Sequence, residues 1–121
     1  MNDSMPIFMQ IMNIIENDII SGVYKADALI ISTPQIAKGY GVNPATAVKA
    51  VSKLADDGIL YKKRGIGMCV AAGAREKIFG RRRDILLNST VPAMLEEAER
   101  LEIAPEQIVS TIMRARAKKQ Q

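Results

Sequence analysis

Residues 42–70 read VNPATAVKAVSKLADDGILYKKRGIGMCV and combine a helix-start signal, an amphipathic run and a basic cluster followed by a pair of glycines. Asn43 is a short polar residue suited to an N-cap, and Pro44 has a φ angle already fixed for a first helical turn. Apolar residues then recur at helical spacing until Gly58, a residue typical of a helix end. A helix is therefore predicted over about residues 43–57. Its inward stripe is predicted to contain Ala47, Val48, Val51, Leu54 and Ala55.

A basic hairpin is predicted directly after this helix. Residues 59–61 and 68–70 are short β-prone runs, and between them lies KKRGIG at residues 62–67. Glycines let a hairpin turn tightly and approach a phosphate closely, while lysine and arginine neutralise phosphate charge. Residues 62–67 are therefore predicted to form a cationic hairpin tip.

The residues before this stretch predict two further helices. The first follows Pro6 and ends at Ser21-Gly22, and its apolar positions at helical spacing are Ile7, Ile11, Ile14, Ile15 and Ile19. The second follows a capping-box pattern, Ser32 with Gln35, and is expected to stop within residues 39–41. Residues 29–31 are a candidate short strand. This order of elements predicts a winged helix-turn-helix domain over residues 5–73, in a mainly α fold with a small β-hairpin.

Residues 74–121 are predicted to form a short, all-helical dimerisation region. One helix is expected over about residues 75–88, a restart at Pro92 and a last helix from Pro105, with residues 114–121 frayed. These segments carry more apolar surface than a small winged domain can cover, so a two-fold partner is expected. The predicted dimer contacts are Ile85, Leu86, Met94, Leu95, Ala98, Leu101, Ile108, Val109 and Ile112.

Composition excludes several chemistries. Cys69 is the single cysteine and the chain has no histidine, so an internal disulfide, a cysteine–histidine zinc site and a histidine-dependent nucleophile are all ruled out. A phosphate-cradling glycine loop is also missing, and we predict neither an enzyme nor a cofactor or metal site. The apolar runs are too short to span a bilayer, so the protein is predicted to be soluble and cytoplasmic.

The predicted winged helix-turn-helix places a specific set of residues against DNA. A reading helix needs short polar side chains and backbone N–H groups at its start, and cations further along to hold the duplex. The helix over residues 43–57 has this layout, and the hairpin adds a wing that touches the neighbouring backbone. The predicted DNA contacts are Ser32, Thr33, Asn43, Ala45, Thr46, Lys49, Lys53, Lys62, Lys63, Arg64, Gly65 and Gly67.

Three stretches also resemble the DNA-binding half of the GntR family of bacterial transcription regulators. They are PIFMQI…IISG at residues 6–22, STPQIAKGYGVNPATAVKAVSKLADDGIL at 32–60 and KKRGIGMCV at 62–70. The common family pattern has arginine where Pro34 and Pro44 stand. An Asn-Pro helix start followed by a short helical C-terminal region is similar to the YtrA-like subfamily. This resemblance implies a homodimeric regulator, often a repressor of neighbouring transporter genes, and it leaves the operator sequence open.

Two functions remain open on the sequence alone. The leading one is a homodimeric repressor that binds a palindromic operator in double-stranded DNA. The alternative is a non-specific or architectural nucleic-acid-binding protein. Seventeen basic residues are nearly balanced by thirteen acidic ones, which disfavours a general coating of DNA. A small-molecule effector, the regulated genes and the choice between repressor and activator are not determined by these residues.

Overall fold

The computed structural model describes residues 4–120 and has the predicted mainly helical fold with one antiparallel hairpin. The elements in chain order are α1 (Ile7–Ile20), α2 (Thr33–Tyr40), α3 (Pro44–Asp56), β1 (Leu60–Lys63), β2 (Gly67–Val70), α4 (Ala74–Ile85), a π-helical turn (Leu86–Thr90), α5 (Val91–Arg100) and α6 (Pro105–Lys119). The chain divides into two compact units, and the division falls between Gly80 and Arg81. Each unit is described separately below.

The first unit has its own hydrophobic core, in which α3 packs against both α1 and α2. Aliphatic side chains from these helices and from the hairpin fill it, and the largest fully buried ones are Ile11, Ile36, Leu54, Ile59, Leu60, Ile78 and Val70. This arrangement follows from the helical spacing of the apolar residues in the sequence.

One residue predicted to face inward is exposed instead. Val48 is 49% exposed, and its expected place in the stripe is taken by Ala50, which is fully buried. The buried positions of α3 follow a strict i, i+3, i+4, i+7 pattern from Ala47, and Val48 lies one residue, or about 100°, away from that stripe. Ile7 is also exposed, because it is the first residue of α1 and lies before the part of the helix that meets the core.

Side-chain caps define the starts of α2 and α3 as predicted. The backbone N–H of Gln35 donates to the Ser32 hydroxyl at 3.3 Å, and the Ser32 N–H donates to the Gln35 side-chain carbonyl at 2.9 Å. The Asn43 side-chain oxygen accepts from the Ala45 N–H at 2.9 Å. Helix α2 continues past Gly39 and ends at Gly41, whose φ of 64° is a left-handed conformation that favours glycine.

The hairpin is longer in its strands and shorter in its turn than predicted. Its register pairs Leu60 with Val70 and Lys63 with Gly67, so Lys62 and Lys63 belong to β1 and the turn contains only residues 64–66. The candidate strand at residues 29–31 is a single antiparallel bridge between Leu29 and Cys69. It ends there because the capping box at Ser32 turns the chain into α2.

The predicted helix break before Pro92 is replaced by a π-helical turn. The Val91 N–H donates to the Leu86 carbonyl, five residues earlier, and helical backbone runs from α4 through this turn into α5. Proline has no N–H, and its ring crowds the carbonyl four residues before it. A wider turn accommodates that ring without ending the helix.

Helix α6 extends to Lys119, so the prediction that residues 114–121 are frayed is wrong as far as residue 119. Alanines at positions 115 and 117 have high helix propensity. Arg116, Lys118 and Lys119 lie in the last turn, where positive side chains interact favourably with the helix dipole. Both effects stabilise a helix end that has no buried residue.

Among residues 4–120, none of the helices combines the length and the apolar character needed to cross a membrane. Cys69 is a free thiol, and it is buried in β2.

Candidate nucleic-acid interface

The α2–turn–α3 segment presents a surface without acidic side chains. Residues 33–55 contain three lysines, Lys38, Lys49 and Lys53, and no aspartate or glutamate. All three lysines are exposed, as are Asn43 and Ala45 at the start of α3. Since α3 is 13 residues long and one face is buried against α1 and α2, its opposite face is free to enter a groove of about 12 Å.

The backbone N–H groups in the first turn of α3 are already used by the cap. Pro44 has no N–H, the Ala45 N–H is taken by the Asn43 side chain, and the Thr46 N–H donates to the Asn43 carbonyl at 2.9 Å. The sequence suggested that N–H groups at this helix start would approach phosphates. The cap that forms the helix already uses them.

Lys49 is held by an aromatic ring. Its ammonium nitrogen lies 4.1 Å from the centroid of the Phe8 ring on α1. This cation–π contact directs the Lys49 side chain toward α1 and reduces its freedom. Phe8 was not among the predicted site residues, because nothing local in the sequence indicates that it lies near α3.

The hydroxyl-bearing residues of the predicted site differ in how far they are available. Ser32 is exposed, and its hydroxyl accepts the capping bond from Gln35 but retains its own hydrogen as a donor. Thr33 and Thr46 are half-buried. Of these three residues, Ser32 is therefore the most accessible to a ligand.

The wing carries one cation that is already paired. The Lys63 ammonium lies 3.1 Å from one carboxylate oxygen of Asp27, and the Tyr61 hydroxyl donates to the other. Asp27 also donates its N–H to the Val70 carbonyl at 2.8 Å, which ties its loop to the hairpin. Asp27 was missed by sequence reasoning, because 36 residues separate it from Lys63.

Arg64 and Lys62 are the exposed cations of the wing. Within the described part of the chain, Arg64 makes neither a hydrogen bond nor an ion pair, and it lies at the start of the turn. The two glycines have φ angles of 78° at Gly65 and 140° at Gly67. A Cβ at Gly67 would also come within 3.0 Å of the Leu29 side chain, so both the backbone conformation and the packing at this position favour glycine.

The second unit has an extensive exposed apolar surface. Seven of the nine predicted dimer contacts are between 39% and 60% exposed. Ile108 is half-buried. Ala98 is only 5% exposed, so it contributes to packing within its own unit and cannot add much to a dimer surface. Leu87 and Met113, which were not predicted, are also more than half exposed.

Comparisons with known proteins identify relatives of one kind. No protein-family model matches the chain. The HTH-type transcriptional regulator YurK of Bacillus subtilis (strain 168) is 29% identical over 92% of this chain, which spans 52% of the length of YurK. A GntR family transcriptional regulator from Listeria monocytogenes matches with a TM-score of 0.76 and 25% identity over 94% of this chain and 98% of that one. A GntR-family structure from Bacteroides thetaiotaomicron gives a TM-score of 0.74 at 28% identity, over 94% and 99% of the two chains.

Two more distant structures share the fold. YtrA from Sulfolobus acidocaldarius, a GntR-family transcription factor, has a TM-score of 0.56 at 21% identity over 100% of this chain and 97% of that one. BusR of S. agalactiae, seen in complex with its promoter DNA, has a TM-score of 0.55 at 24% identity over 93% of this chain and 58% of BusR.

The fold is that of the winged helix-turn-helix proteins. More narrowly, it matches the winged helix-turn-helix of GntR-family transcriptional regulators, and the resemblance predicted from the sequence is confirmed. These neighbours are transcription factors and not enzymes.

Proposed function

We propose that the protein is a sequence-specific DNA-binding transcription regulator that acts as a homodimeric repressor on a palindromic operator. The observation that carries this proposal is the exposed face of α3, where lysines and short polar residues occur without any acidic side chain between residues 33 and 55. Such a face is suited to DNA, because the lysines can contact phosphates while the short polar side chains contact base edges in the groove. The wing adds Lys62 and Arg64 as phosphate contacts.

The division of labour follows the sequence prediction. Residues 5–73 bind DNA, and residues 74–121 form the dimer. The DNA contacts remain those predicted, and the exposed ones among them are favoured: Ser32, Asn43, Ala45, Lys49, Lys53, Lys62, Arg64 and Gly65. The solved complex of BusR with promoter DNA supports this use of the fold. We also propose a cytoplasmic location, where a regulator of this kind meets the DNA that it binds.

Dimerisation explains the exposed apolar side chains of the second unit. A self-complementary interface would cover them and hold two α3 helices at a fixed distance, about 34–36 Å if they enter successive major-groove turns. Two linked half-site contacts bind far more tightly than one, because the second becomes intramolecular. A palindromic site is the expected consequence.

Selection from a random duplex library tests the proposal. The full-length protein is used to enrich 30-base-pair duplexes, and enriched duplexes are then competed against unrelated DNA at fixed salt. A regulator should enrich an inverted repeat and prefer it by at least about 10³-fold. Enrichment of no sequence, with binding that depends only on salt, would instead favour the non-specific architectural alternative.

A further inference from the structure

The surface beside α3 contains an apolar patch that the proposed DNA contacts do not account for. The patch is defined by Pro34 of α2, Val42 of the turn, and Pro44 and Val48 of α3, which line one shallow depression. Pro34, Pro44 and Val48 are exposed, and Val42 packs against the core beneath them. Pro44 and Val48 are four residues apart and therefore lie on the same side of α3.

Val48 is the unexpected member of this patch. The hydrophobic pattern predicted that it would be buried, yet 49% of its surface is exposed. A single exposed aliphatic residue needs no explanation. Here, however, the residue lies in the first half of the helix proposed to read bases, beside a proline that removes a backbone donor from the same surface.

The charges around the patch indicate what it faces. Lys38 lines the same depression. With no carboxylate between residues 33 and 55, this rim suits phosphates. A protein partner would need a ring of acidic residues around an apolar centre. Duplex DNA has phosphates at the edges of the major groove and, at its floor, one apolar group, the C5-methyl of thymine.

We propose that Val48, supported by Pro44, is a specificity-determining residue that recognises the methyl group of a thymine in each half-site. This inference rests on the proposed DNA-binding function and deepens it. Aliphatic side chains read thymine through this methyl, because its burial removes apolar surface from water on both sides. One buried methyl contributes about fourfold in affinity, taking the transfer free energy of a single CH₂ group.

A thymine-to-uracil scan tests the proposal with the full-length protein. The sequence enriched from the random library is synthesised with each thymine replaced in turn by deoxyuridine, which removes the methyl and leaves base pairing unchanged. The wild-type protein is expected to lose about fourfold in affinity at one thymine of each half-site. No variant is needed for this first readout.

Variants then assign the effect to a side chain. Val48→Ala should bind thymine and uracil duplexes equally at that position, and Val48→Thr, which keeps one methyl group, should retain part of the difference. Val23→Ala is the matched control, since Val23 is 67% exposed and lies outside α2 and α3. It should keep the full thymine preference.

Four results would overturn the inference. If no thymine of the preferred sequence is sensitive to replacement by uracil, the inference is wrong and the proposed function is unaffected. The same holds if the Val48→Ala protein keeps the wild-type sensitivity to uracil. A change of oligomeric state in Val48→Ala, with unchanged DNA preference, would show that the patch is a protein contact. The enrichment of no sequence at all would overturn the proposed function as well.

Discussion

The two units of the chain differ in how they bury apolar side chains. The first unit buries sixteen hydrophobic residues, from Ile11 to Ile78, in or beside a single core. In the second unit, Ala98 is the only described residue in the buried class, while leucines, isoleucines and methionines are exposed along α5 and α6. Hydrophobic burial is the main stabilising contribution in a small domain. The first unit therefore buries a core of its own, whereas the second leaves most of its apolar side chains exposed in the single chain, which is the reason that we propose a partner for it.

The largest effect on assembly and on operator affinity is expected from a charged residue placed in the exposed apolar surface of the second unit. Leu95→Glu is expected to prevent dimerisation, because an ionised carboxylate cannot be buried among apolar side chains without a partner. Operator affinity should fall by about 10²-fold or more, since the second half-site contact is no longer intramolecular. Sedimentation and titration of the enriched duplex measure the two effects.

The matched control for Leu95→Glu is Val23→Glu, an exposed apolar residue of the first unit that receives the same charge. It should leave both the oligomeric state and the fold unchanged. If the wild-type protein sediments as a 13.3 kDa monomer and still binds its operator tightly, the dimer and the contrast between the units are contradicted.

The same truncation in the two units should have different consequences. Leu54→Ala opens a cavity in the first core, where Leu54 is fully buried, and should destabilise that unit by about 2–5 kcal/mol at every protein concentration. Leu86→Ala removes a side chain that is 54% exposed in the single chain. It should weaken dimerisation and leave the first unit as stable as before.

Hydrogen exchange measured by mass spectrometry separates these outcomes, because it reports the two units independently. Faster exchange in α1–α3 is expected for Leu54→Ala only. Equal loss of protection in the first unit for both variants would show that the two units fold as one.

The sequence predicted most of the first unit because its signals are local. Ser32 with Gln35 and Asn43 with Pro44 each mark a helix start within four residues, and both caps form as expected. The α3 stripe was predicted with an error at Val48. Apolar identity does not distinguish a buried valine from one at the edge of the stripe, and only the packing of α2 against α3 decides that position.

The errors in the second unit and the wing concern backbone geometry and contacts that residue type alone does not specify. Pro92 signals a helix break, but a π-helical turn at Leu86–Thr90 absorbs the proline without one. The ion pair of Lys63 with Asp27 joins residues that are distant in the chain and close only after folding. Local patterns contain neither kind of information.

Substitutions in the wing should change DNA binding and leave the oligomeric state unchanged, whereas Leu95→Glu should change both. Arg64→Ala should lower affinity for all sequences and reduce the salt slope by about 0.9, the contribution of one phosphate contact. Lys63→Ala should cost less affinity, because Asp27 already pairs with Lys63 at 3.1 Å and an exposed pair of this kind contributes up to about 1 kcal/mol.

Asp27→Asn provides the complementary test. It removes the carboxylate that competes with phosphate and should raise affinity in the wild-type background but not in Lys63→Ala. Binding measured at several salt concentrations checks both variants, with sedimentation as the control for assembly. An unchanged salt slope in Arg64→Ala would show that the wing does not touch the DNA backbone.

The smallest expected effect is on helix stability, and it is tested at two helix starts of the same form. Helices α3 and α6 both begin with proline after a residue in extended conformation, but α3 is capped by the Asn43 side chain and α6 follows Ala104, which offers no cap. Asn43→Ala should lower the stability of the first unit by about 1 kcal/mol, and Ala104→Asp should stabilise α6 by a similar amount. The aspartate also lies at the positive end of the helix dipole. Amide exchange of residues 106–108 measures the second effect, and protection that does not increase in Ala104→Asp would mean that the start of α6 is determined by its packing against α5 and not by its cap.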